Sequence, residues 1–243
     1  ASGGNAGVAN AYAASTLGVP ATVFVPLTAP EVKVNRIRAL SADVRQVGTQ
    51  YAEAYEAAVA FAEVRGALFC HAYDQLEIAA GAGTVAEEML EDQPQIDTIV
   101  VAVGGGGLFA GITAAAHQRA RIVAVEPRSI PTLHAAIEAN EPVDVEVSGI
   151  AADSLGARRV GDIAFEIAAR HPPTSLLVSD HEIAMARSHL WEEYRIPSEY
   201  GAATAMAALT SGTYRTGPDE RVAVIICGAN TDAATLGIPP SSF

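Results

Sequence analysis

The chain has 243 residues, half of them hydrophobic, and a formal charge of −13 with only 15 Lys and Arg against 28 Asp and Glu. That content of apolar residues can bury a sizeable core and excludes global disorder. The acidic balance argues against a nucleic-acid or anionic-membrane partner, because displacing counterions from a phosphate backbone requires clustered basic side chains.

Taken in chain order, helical and β-rich runs alternate. Gly7 to Leu17 has helical character and stops at Gly18-Val19-Pro20; Ala21 to Val25 is a short β-rich run; Ala29-Pro30-Glu31 opens a further helix with Pro near its first turn. A strand is predicted over Asp43–Val47, a helix over Tyr51–Val64, a short strand over Ala67–Cys70 and a turn at His71-Ala72-Tyr73-Asp74, followed by a helix spanning about Gly83–Leu90. The second series comprises a strand at Thr98–Val103, helices at Leu108–Arg119 and Pro131–Ala139 around a strand at Arg121–Glu126, and a strand at Ser175–Val178. Helices at His181–Tyr194 and Ala202–Leu209 and a last strand at Arg221–Cys227 complete it.

Strands without polar alternation are buried on both faces, which implies parallel sheets covered by helices on both sides. A domain boundary is expected near residue 70, giving a small α/β domain over 1–70 and a large one over 71–243. The uncharged run from Thr98 to Ala116 has nearly the length of a membrane span. It carries five glycines and changes rhythm halfway along, which suits a strand, a tight loop and a helix.

Two cysteines, Cys70 and Cys227, both in apolar segments, point to reduced thiols and a cytoplasmic protein. The histidines are scattered, and no spacing suggests a metal site.

Gly104-Gly105-Gly106-Gly107, between an apolar strand and a helix, has a specific physical use. Without side chains, backbone N–H groups can point at an anion, and the helix N-terminus adds partial positive charge, so a phosphate is the natural guest. A dinucleotide reading competes: Gly105-x-Gly107-x-x-Ala110 fits the Rossmann fingerprint, and Glu126 ends the next strand twenty-one positions after Gly105, where an acid would take ribose hydroxyls. That reading makes the chain a nicotinamide oxidoreductase.

Two further loops favour another assignment. With the glycine run, Ala1-Ser2-Gly3-Gly4-Asn5-Ala6-Gly7 and Cys227-Gly228-Ala229-Asn230 resemble, in order, the loops of the fold type II pyridoxal-phosphate enzymes, the serine/threonine dehydratases and tryptophan synthase β relatives. The likeness extends to Val19–Pro26, His71–Asp74, Gly81-Ala82-Gly83-Thr84 as a helix start, and Glu199-Tyr200-Gly201-Ala202-Ala203. Ala72 stands where the family usually has proline, and the last segment is one residue short. Asp153-Ser154-Leu155-Gly156 also resembles a family segment near the cofactor, without an assigned role.

The resemblance implies two three-layer parallel-sheet α/β domains with the cofactor site between them, lacking the family's N-terminal strands. It implies that Ser2, Gly3 and Gly4 bind a substrate carboxylate and that Asn5 bonds the cofactor's phenolic oxygen. Gly104, Gly105, Gly106, Gly107 and Leu108 would take the phosphate, and Cys227 would meet the pyridine nitrogen. The implied activity is β-elimination of L-serine or L-threonine to a 2-oxo acid and ammonia, in a protein of a commonly dimeric family. Threonine synthase or β-replacement chemistry, and a non-catalytic phosphate-ligand-binding relative, stay open.

Family members hold the cofactor as a Schiff base on a lysine upstream of the Ser-Gly-Asn loop. Here only Ala1 precedes Ser2, and the sole lysine, Lys33, lies downstream in a helical stretch. The expectation is therefore a chain truncated before its catalytic lysine and inactive by itself, with no catalytic residue of its own.

Overall fold

A computed structural model describes residues 1–29 and 31–236. The chain divides into two compact units, Ala1–Ala72 and Tyr73–Phe243.

The first unit contains α1 (Asn5–Leu17), β1 (Thr22–Val25), α2 (Glu31–Arg38), β2 (Asp43–Gln46) and α3 (Tyr51–Arg65). The two strands pair in parallel, Thr22 opposite Asp43 through Val25 opposite Gln46. Because side chains alternate across a strand, Val23 and Val25 pack with Ala11 of α1 and with Val34 and Ile37 of α2, while Phe24 turns to Ala54 and Ala58 of α3. The result is a helix–sheet–helix sandwich. Glu53 begins α3 by accepting from the N–H groups of Thr49 and Gln50 at 2.7 and 2.9 Å. Left-handed glycines, Gly18 and Gly66, end α1 and α3.

Ala67–Cys70, expected as a strand, is irregular and pairs with no strand among the described residues. Leu68 within it is 85% exposed. A short apolar run forms a strand only when a free edge accepts its backbone groups.

The second unit runs α4 (Leu76–Asp92), β3 (Thr98–Ala102), α5 (Gly107–Ala116), β4 (Arg121–Pro127), α6 (Thr132–Ala139), α7 (Ala152–Leu155), α8 (Asp162–Arg170), β5 (Thr174–Val178), α9 (Asp180–Tyr194), α10 (Tyr200–Thr210) and β6 (Val222–Val224), with a 3₁₀ turn at Ala233–Thr235. Its strands lie in the order β5-β4-β3-β6, all parallel. β3 is buried throughout. Ile99 and Val101 face a cluster built with α4, α5 and α8; Val100 and Ala102 face one built with α9 and α10. The mixed α/β architecture with parallel sheets agrees with the strand patterning.

Three local expectations need correction. The helix after the His71–Asp74 turn starts at Leu76, so Gly81–Thr84 is mid-helix and not a helix start. The glycines serve a helix crossing: a Cβ on Gly111 of α5 would lie 2.1 Å from the Ala79 carbonyl oxygen of α4. Helices α7 and α8 were not anticipated. The start of α8 is set by Asp74, whose carboxylate accepts from the N–H groups of Asp162 and Ile163 at 3.2 and 3.1 Å across 88 and 89 residues of sequence. The last strand is shorter than Arg221–Cys227. Beyond Val224, Ile225 N–H still donates to the Val100 carbonyl at 2.9 Å, and the chain then leaves the sheet.

Thr98–Ala116 resolves into β3, a turn and α5. Among the described residues no helix is long and apolar enough to cross a membrane.

Candidate cofactor site

In the second unit, β3 has β4 on one side and β6 on the other. The chain leaving β3 and the chain leaving β6 therefore emerge side by side at the carboxyl edge of the sheet, at the point where strand order reverses. Open α/β sheets characteristically bind ligands outside such a point. The turn Gly104–Gly107 follows β3 and Cys227 follows β6, so two of the three sequence motifs share this edge.

The glycine turn is shaped by its neighbours as well as by any ligand. Gly106 has φ +91°, and a Cβ there would stand 2.4 Å from Cβ of Ala164; one on Gly105 would stand 2.3 Å from the Tyr73 ring. The turn's carbonyl oxygens are committed within the protein. Gly104 O accepts from Thr132 Oγ1 at 2.6 Å, Gly105 O from Gly161 N–H at 3.0 Å and Gly106 O from Ala110 N–H at 2.8 Å. By contrast, among the described residues none accepts a hydrogen bond from the N–H groups of Gly105, Gly106, Gly107 or Leu108. Gly106 and Gly107 are buried. A row of largely buried amide donors with satisfied carbonyls, opening the ten-residue helix α5, fits a phosphate monoester.

Glu126 does not serve as a ribose acid. It is fully buried, and its carboxylate sits on the N-terminus of α6, with Oε1 accepting from Leu133 N–H at 2.8 Å and Oε2 from His134 N–H at 2.8 Å. Thr132 Oγ1 lies 3.0 Å from Oε1. Burial outweighs these donors and pushes the Glu126 carboxyl up to about 7. A single hydroxyl hydrogen on Thr132 cannot serve both Gly104 O and Glu126. A protonated Glu126 donating to Thr132 Oγ1 completes the chain Glu126–Thr132–Gly104 without conflict. The dinucleotide reading therefore loses its acid, whose role here is to hold α6 and the glycine turn together.

Cys227 is exposed as a residue, yet the surrounding protein desolvates its thiol. That desolvation, reinforced by the Glu199 carboxylate, pushes the thiol up to about 11, so it is neutral at pH 7. Glu199 is buried, and its N–H donates to Gly228 O at 3.1 Å, which ties the start of α10 to the residue after Cys227. Ser154 of α7 contributes from the other side, its Oγ accepting from Gly201 N–H at 3.1 Å. The sequence alone assigns no role to Glu199 or Ser154; their contacts bridge segments far apart in the chain.

The third motif lies in the first unit. Ser2 N–H donates to Phe24 O at 3.2 Å, which fixes the loop to β1, and Ser2 Oγ accepts from Gly4 N–H at 3.2 Å. Gly4 is the N-cap of α1 and no side chain caps that helix, so Ser2 is not a conventional N-cap. Asn5 is the first helical residue and is exposed. An apolar cavity of about 750 Å³ adjoins Ser2, bounded by residues such as Phe24, Phe61 and Leu68, all of the first unit. Lys33 lies on α2 in the same unit. Among the described residues no group of His, Cys, Asp and Glu is arranged to hold a metal ion.

Comparison with known proteins identifies the family. Residues 1–228 match the family model described as pyridoxal-phosphate dependent enzyme. The chain is 36% identical over 241 residues to an L-threonine ammonia-lyase of Geobacter sulfurreducens, covering 98% of this chain and 60% of that protein. It is 33% identical over 235 residues to the L-threonine ammonia-lyase of Thermotoga maritima, covering 96% of this chain and 58% of that protein. The chain thus spans about three-fifths of the length of these relatives. The structure of maize serine racemase superposes with a TM-score of 0.89 at 27% identity, covering 96% of this chain and 73% of that one. With a phosphate-suited turn at the switch point and a family match across nearly its whole length, the chain belongs to the pyridoxal-phosphate-dependent enzymes.

Proposed function

We propose that this chain carries the cofactor- and substrate-binding parts of a serine/threonine ammonia-lyase, whose net reaction converts L-threonine to 2-oxobutanoate and ammonia, or L-serine to pyruvate and ammonia. The observation that supports it most is the Gly104–Leu108 turn, with its carbonyls consumed by the protein and its amides free of protein acceptors among the described residues. In this reading those amides hold the cofactor phosphate. Cys227, neutral because crowding and Glu199 raise its pKa, faces the ring nitrogen without protonating it. Ser2, Gly3 and Gly4 bind the substrate carboxylate and Asn5 the phenolic oxygen. When bound, pyridoxal phosphate supplies an electron sink for the charge left when the Cα–H bond breaks.

The reaction also needs an amine close to Cα. Lys33, the chain's one lysine, sits on the surface helix α2 and receives no part in it. The chain by itself is therefore expected to bind cofactor through its phosphate and to leave L-threonine unchanged.

Equilibrium dialysis of the chain against pyridoxal phosphate and against pyridoxal tests the phosphate assignment. Retention at least tenfold stronger for the phosphorylated form, with competition by inorganic phosphate, supports the reading; equal retention overturns it. A lysine-linked absorbance band abolished by Lys33→Ala, or 2-oxobutanoate formed from L-threonine by the chain alone, would overturn the assignment of no role to Lys33.

A further inference from the structure

The four-residue helix α7 touches two parts of the sheet's carboxyl edge at once. Its Leu155 backbone stands 3.0–3.1 Å from where a Cβ on Gly104 would be, and its Ser154 Oγ accepts from Gly201 N–H at 3.1 Å. Gly201 is the second residue of α10, and Glu199, its N-cap, donates its own N–H to Gly228 O at 3.1 Å. The contact is close from both sides: a Cβ on Gly201 would fall 2.3 Å from Ser154 Oγ. A hydroxyl on α7, the first turn of α10, the Glu199 backbone and the Cys227-Gly228 turn thus form one connected series within the second unit.

We infer that Ser154 is a positioning residue: its hydroxyl holds the first turn of α10 so that Glu199 stays against Cys227 and Gly228. Its bearing on the reaction rests on the proposed function, in which Cys227 faces the ring nitrogen. Ser154 would then set the electrostatics of that contact from a distance, through Glu199, without touching the ligand. Among the described residues Glu199 is the charged side chain that acts on the Cys227 thiol, so the thiol itself reports the arrangement.

The test needs no cofactor. In a Cys70→Ser background, Cys227 is the chain's one thiol, and its alkylation by iodoacetamide is followed from pH 7 to 11, with far-UV circular dichroism confirming the fold. Ser154→Ala is expected to move the alkylation profile to lower pH, reading as about a threefold or greater rate increase at pH 8.5. Gly201→Ala, which displaces the hydroxyl from the opposite side, should do the same. Glu199→Gln should accelerate alkylation at least as much, and Ser154→Ala added to it should produce no further change, since both act on one interaction. An unshifted profile in both Ser154→Ala and Gly201→Ala, a vertical rise without displacement along the pH axis, or effects that multiply in the double variant would overturn the inference. Failure of phosphate retention in the dialysis experiment would instead remove the cofactor reading and leave this coupling intact.

Discussion

Replacing Glu126 with Gln tests whether a buried acid on the N-terminus of α6 is protonated at mildly acidic pH. The folded-state value of about 7 lies above the ordinary 4.5, so the folded protein binds more protons than the unfolded chain between those values. The associated stability is fully present below pH 4.5 and is lost as pH rises through 7. At 1.36 kcal/mol per unit, a displacement from 4.5 to 7 is worth about 3.4 kcal/mol in total, of which about 2.5 kcal/mol falls between pH 5 and pH 8. Gln cannot ionise, and it presents one oxygen where Glu126 presents two to Leu133 N–H and His134 N–H. One buried N–H is left without its acceptor, at a cost of about 1–3 kcal/mol. Urea unfolding of both proteins at pH 5 and pH 8 should show Glu126→Gln destabilising by that amount at pH 5 and roughly neutral or stabilising at pH 8. Every other titrating group contributes equally to both proteins, so the change in their difference isolates Glu126. An equal difference at the two pH values would refute the reasoning and mean that the donors of α6 keep the carboxylate ionised.

Gly106→Ala places a side chain at φ +91° and 2.4 Å from Ala164 Cβ, so a loss of about 2 kcal/mol or more in urea unfolding is expected. Arg187 is buried and donates to Ser198 O at 2.8 Å, Thr231 Oγ1 at 2.9 Å and Thr235 Oγ1 at 2.7 Å. Arg187→Met should release residues 231–235, seen as faster proteolysis beyond Cys227, and Arg187→Lys should rescue poorly because an ammonium lacks the guanidinium's fork. With its thiol raised to about 11, Cys227 should alkylate slowly at pH 8 and accelerate about tenfold per pH unit until it approaches 11; a plateau near pH 9 would show the crowding argument to be wrong.

The parallel α/β architecture was legible because the centres of β3 and β4 are continuous apolar runs, and such runs leave few alternatives to a sheet covered on both faces. The glycine turn was legible as a loop suited to an anion because its signal is contiguous in sequence. Its competing explanation was equally local, since Gly105, Gly107, Ala110 and Glu126 satisfy a spacing rule. Only the position of α6 reveals that Glu126 is spent on Leu133 and His134 N–H groups. The start of α8 and the hold of Ser154 on Gly201 were invisible for the same reason: their partners lie 88 and 47 residues away.

What the chain's own order of residues determined is thus the class of fold and the family, because periodicity and contiguous motifs act over one turn or one strand. The tertiary structure alone decided which loops share the sheet's carboxyl edge, that Glu126 belongs to the core, and that Ser154 meets Gly201 and Glu199 meets Gly228. Those outcomes depend on hydrogen bonds between segments that meet only after the helices have packed on the sheet.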